Sequence, residues 1–192
     1  MPASLLVRVI IWLWFGAAVV GGHFLVLQRL PAPALPVLIA ALTAMALYAC
    51  FRFPTLHTWI NTIDVRTLVL LHLTRFVGIY FLILHRRGEL PGAFALPAGI
   101  GDIAVAIMAI PVALAPLEAP SRRRAIVIWN VVGLVDILLV VATAARLNLA
   151  DPAQMQAFTR LPLSLLPTFL VPLIIATHVL LFVRLARAEG AT

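Results

Sequence analysis

Carboxylates and imidazoles are the side chains that do chemistry inside apolar helices, and this chain sets both against a single arginine. Residues 68–82 read LVLLHLTRFVGIYFL, an apolar run with His72 and Arg75 inside it. An arginine at the centre of a lipid-spanning helix costs roughly 3 kcal/mol or more. It must face protein or water and must find an acceptor. The sequence offers few: Asp102, Asp136, Asn130 and His178, each within another apolar run. One guanidinium facing two carboxylates leaves a negative charge over. A surplus intramembrane carboxylate either takes up a proton or binds a cation. The competing reading is structural: Arg75 bridges both aspartates, helped by Asn130 and by the hydroxyls of Thr74 or Tyr80, since ion-pair networks imitate sites.

The two histidines pose a separate question. Counted along their helices, His72 and His178 fall at the same level. Two histidines on facing helices can ligate a haem b iron axially, and a membrane cytochrome is therefore one alternative. No attachment motif accompanies them, and no HxxxH or ExxH spacing marks a non-haem metal site; no metal is expected. The chain has no GxGxxG, P-loop or HExxH motif and no serine nucleophile set beside a base, so the enzyme reading leans to no.

Composition supplies the setting. Of 192 residues, 64% are apolar and 11% charged, and the mean hydropathy is +1.11. Soluble domains run nearer half apolar and a quarter charged, so lipid is the expected solvent. The net charge is +7, and every one of the 14 basic residues is arginine. These arginines flank apolar runs, which fits headgroup contacts and the orientation rule and argues against nucleic acid as a partner. The lone Cys50 builds neither a disulfide framework nor a CxxC site. Arg8 is followed by about nineteen mostly apolar residues, too long for a signal-peptide core and read as a retained first helix.

The elements that must position the polar residues follow from hydropathy. The expected fold is all-α: a polytopic integral membrane protein, one domain over 1–192, with six transmembrane helices in a bundle at about 5–28, 35–52, 65–85, 93–115, 125–146 and 163–186. Two short amphipathic stretches, 53–64 and 147–161, are expected at the interface. In the first helix Ala17/Gly21 and Ala18/Gly22 allow close packing. The second is apolar all round and is expected at the periphery. In the third, His72, Arg75 and Gly78 recur every third residue and share a face, and Gly88 and Pro91 end it. The fourth holds LPAGIGD, with Pro97, Gly99 and Gly101 before Asp102. A partly unwound turn ahead of the carboxylate is one reading; a proline kink with glycines for packing is the other. In the fifth, Asn130, Gly133 and Asp136 spread over a broad face. Pro167 and Pro172 bend the sixth.

Six spans put both ends of the chain on one side. Arg8, Arg52, Arg66, Arg122, Arg123, Arg124, Arg184 and Arg187 fall on that side, against Arg29, Arg86, Arg87, Arg146 and Arg160 on the other. The excess favours both termini in the cytoplasm of a bacterial-type inner membrane. The functional expectation is binding or translocation of a small polar solute or cation, with proton coupling as one route. Arg75, Asp102, Asp136, Asn130, His72 and His178 would form the binding and relay set. A structural or partner-binding subunit is the further alternative, and a homodimer is one way for so small a bundle to complete itself.

Overall fold

The computed structural model describes residues 3–189, with side chains from 5 to 187. Among the described residues the chain is helical with no strand. Six helices are long and apolar enough to cross a membrane. In chain order α1 is Ala3–His23, α2 Ala34–Arg52 and α3 the short Pro54–Thr62. Then come α4, Val65–Arg86, and α5, Gly92–Leu114. The last two are α6, Ala119–Ala150, and α7, Val171–Glu189.

Contacts gather these into two compact units. The first comprises Met1–Ile63 and Ala144–Ala176, and so holds α1, α2, α3, the end of α6 and the start of α7. The second comprises Asp64–Thr143 and Thr177–Thr192, and holds α4, α5, most of α6 and the rest of α7.

In the first unit, α1 ends at His23, five residues short of its expected end. Gly21 and Gly22 weaken the last turn. Leu25 then takes a left-handed backbone (φ 53°), and a 3₁₀ turn, Val26–Arg29, follows. Of the two small-residue pairs, Ala18 and Gly22 are the buried one, with Gly22 seated against Ser164 and Leu161. Ala17 is exposed and Gly21 has open space. α2 is covered over only 6% of its span, as its uniform hydropathy demands. A π-helical turn, Leu166–Leu170, precedes α7. Pro172 has no N–H to give to the carbonyl four residues back; that carbonyl, Thr168 O, accepts instead from Trp14 Nε1 at 2.8 Å.

In the second unit, Asp64 caps α4 by accepting from Arg66 N at 2.8 Å. The other end closes as the sequence HRRGELPG requires. Gly88 is left-handed (φ 75°), its N–H reaches His85 O, and Glu89 N–H reaches Leu84 O, each at 2.9 Å. α5 runs without interruption through Pro97 and Pro111, so the unwound turn expected as one reading of LPAGIGD is absent. The irregularity lies in α4 instead. α6 begins at Ala119, six residues before its expected start, because Pro120 suits a first helical turn. The SRRR arginines therefore belong to the helix. Arg122 and Arg123 donate to the carbonyls of Ala115 (3.4 Å) and Leu185 (3.2 Å).

Candidate functional site

The site lies in the second unit and starts from a change of helix type. Between Leu71 and Val77, α4 tightens to a 3₁₀ helix. Three residues per turn stack His72, Arg75 and Gly78 along one edge. Gly78 lets α5 come close: a Cβ there would lie 2.5 Å from Gly99 O and 2.9 Å from Asp102 Cβ. The missing side chain brings the Asp102 carboxylate up to Arg75.

Arg75 is fully buried, and every nitrogen of its guanidinium has an acceptor. Nε donates to Asp102 Oδ1 at 2.6 Å. One terminal nitrogen donates to Gly133 O at 2.9 Å, and the other to Asp136 Oδ2. One cation thus clamps carboxylates from α5 and α6, with a backbone carbonyl between them. The two carboxylates are not equivalent. The Asp102 side chain is 4% exposed and that of Asp136 is 22% exposed. Asp136 lies over Gly101, where any side chain would collide with its carboxylate. With all three groups ionised the triad carries one negative charge, and the edge of Asp136 is where that charge meets the outside.

A second cluster adjoins the first. The His72 and His178 rings lie 4.2 Å apart, centre to centre, tilted by 48°. Trp129 borders both rings at 4.9 and 5.6 Å and is held by its indole N–H on Val105 O at 3.0 Å. Asn130 uses its amide nitrogen on the His178 carbonyl at 3.0 Å, so its Oδ1 accepts from His178 Nδ1 at 2.7 Å. In the neutral ring this places the proton on Nδ1 and leaves Nε2 as a buried lone pair, with no protein partner. His72 Nε2 pairs with Thr177 Oγ1 at 3.2 Å, and its Nδ1 has no partner. Gly133 joins the clusters. Its carbonyl binds Arg75, and a Cβ on it would lie 3.1 Å from His178 Nε2.

This geometry does not fit a haem shared by His72 and His178. Imidazole–metal bonds of about 2.0–2.1 Å on both sides of an iron would hold the ring centres about 6 Å apart, and these rings are in contact. Among the described residues, no group of three or more His, Cys, Asp or Glu could hold a metal ion.

A family model described as Domain of unknown function (DUF8737) matches residues 32–186. The chain belongs to this family. The DUF8737 region starts beyond α1 and contains both polar clusters whole. No curated protein and no solved structure matches the chain.

All six candidate residues read from the sequence lie in one unit of the DUF8737 chain, in two groups: Arg75, Asp102 and Asp136, then His72, His178 and Asn130. Two of the expected helpers of Arg75, Asn130 and Thr74, have other roles. Asn130 serves His178, and Thr74 is exposed and bonded to Leu71 O within its own turn. Four participants escaped sequence reasoning as site residues: Thr177, Trp129, Gly133 through its carbonyl, and Gly101 beneath Asp136. A signal existed for each, since Thr177, Trp129 and Gly101 adjoin His178, Asn130 and Asp102, and Gly133 divides the Asn130–Asp136 interval evenly.

Proposed function

We propose that this chain is a multi-pass protein of a bacterial inner membrane, with both termini cytoplasmic, that binds and passes a small polar solute or cation in exchange for protons. The observation that carries the reading is the unequal clamp. Arg75 is shared by Asp102 and Asp136, one negative charge remains, and only Asp136 reaches the outside. A purely structural salt bridge needs one carboxylate. The second costs desolvation, and a site that must accept and release positive charge gives it a use. In this reading Asp136 exchanges the charge, Asp102 holds Arg75 in place, and the unpartnered nitrogens of His72 and His178 relay protons. Support for the compartment comes from the six apolar helices, the arginine excess on one side and the absence of lysine.

The test is flux from proteoliposomes. With a pH gradient imposed, purified protein should collapse the gradient when a transported cation or solute is added. Absence of any flux under proton, sodium, potassium and solute gradients would sink the reading and favour a structural subunit.

A further inference from the structure

We infer that the triad receives lipophilic cations, an ammonium or phosphonium charge on an apolar body, which enter sideways along the seam between α5 and α6. This deepens the reading of the triad as a cation site and rests on it.

Asp136 sits at a boundary of its helix. At 100° per residue, α6 turns Val132, Val135 and Leu139 to the outside, 56%, 51% and 62% exposed, and Trp129, Asn130, Gly133 and Ile137 to the inside. Asp136 falls on the border between these faces, adjoining Val132 and Leu139 one turn to either side. Across the seam its carboxylate rests over Gly101 of α5, next to the exposed Ile100. The accessible edge of a net negative cluster therefore opens onto hydrocarbon. A hydrated metal ion would have to shed its water against valine and leucine to arrive this way. A cation carried on an apolar body keeps that body in contact with the walls while its charge meets the carboxylate.

The interior supplies a second, independent acceptor. His178 is completely buried, and its Nε2 lone pair faces Gly133, whose carbonyl binds Arg75, with no donor of its own. Arg75 spends its nitrogens on three acceptors of the protein. The edge that remains open to a ligand is thus the Asp136 carboxylate, and the buried His178 lone pair behind it adds to the field that attracts positive charge.

The probe is tetraphenylphosphonium, measured by equilibrium dialysis against the full chain in lipid nanodiscs. Saturable binding is expected. Asp136→Asn should weaken it about thirtyfold or more, the loss typical of removing one partner of a buried charge contact. Val132→Trp, on the exposed wall, should weaken it by narrowing the seam, and Asp136→Glu should retain it; these two carry the test where the asparagine variant does not fold. Excess tetramethylammonium or sodium should displace little of the probe. Binding unchanged by Asp136→Asn, or sodium displacing the probe as well as a lipophilic competitor does, would overturn the inference. So would a second copy filling the seam, seen as rapid disulfide dimerisation of Val132→Cys in a Cys50→Ala background with no probe bound. Gradient collapse in proteoliposomes without probe binding would overturn this inference and leave the proposed function standing; loss of both would remove both.

Discussion

The two units solve the same problem, packing helices long and apolar enough to cross a membrane, by different means. In the first unit the contacts are of shape. Gly22 admits Ser164 and Leu161, Phe169 stacks edge-on against Trp14 and Phe15 at 5.0 and 5.4 Å, and one indole N–H satisfies a carbonyl freed by proline. In the second, glycines do similar steric work, yet what they admit is charge: Gly78 brings in Asp102, Gly101 seats Asp136, and Gly133 meets both Arg75 and His178. Packing alone needs no arginine. A unit that buries Arg75 with two carboxylates has accepted a desolvation cost that its neighbour in sequence avoids, and function is the reason proposed here.

Substitutions can break this comparison, and the largest effect should come from its centre. Arg75→Met leaves two carboxylates with no cation and should destabilise the protein by about 3–5 kcal/mol, read from denaturant titration in detergent. A loss under about 1 kcal/mol would show that the clamp is not an essential part of the packing. Next is Gly78→Ala. The added methyl meets the Gly99 carbonyl and Asp102, so a cost of about 1–3 kcal/mol is expected by the same titration.

The first unit should respond less. Trp14→Phe keeps a six-membered aromatic ring but loses the five-membered half of the indole with its bond to Thr168 O; the lost bond alone should cost about 0.5–1.5 kcal/mol. The smallest effect belongs to Gly16→Ala, where nothing lies within 4 Å of the new methyl. Removing a mid-helix glycine there should stabilise α1 slightly, by about 0.8–1 kcal/mol at most. A large loss at Gly16 and none at Gly78 would invert the comparison.

Much of this was legible in the sequence because helices long and apolar enough to cross a membrane leave few polar residues to assign. Arg75 had only Asp102 and Asp136 as carboxylates within apolar runs, and it binds both. Counting along the helices puts His72 and His178 at one level, and their rings meet. Gly88 and Pro91 ended α4 through local backbone chemistry that depends on nothing distant. What escaped depends on tertiary packing. LHLTRFV contains neither glycine nor proline, so nothing local marks the 3₁₀ stretch that aligns His72 with Arg75. Conversely, Pro97 and two glycines signal a break in α5 that does not occur, since those glycines serve its contact with α4 and with Asp136. The third acceptor of Arg75 is a backbone carbonyl, which every residue possesses and no composition reveals.

In the proposed function the second carboxylate, Asp136, exchanges charge rather than merely pairing with Arg75. The most direct measurement compares gradient collapse in proteoliposomes for the wild-type chain, Asp136→Asn, and Gly16→Ala as a control in the other unit. Collapse is expected from wild type and Gly16→Ala, and loss of collapse from an Asp136→Asn protein that remains folded. Equal flux through all three would contradict it.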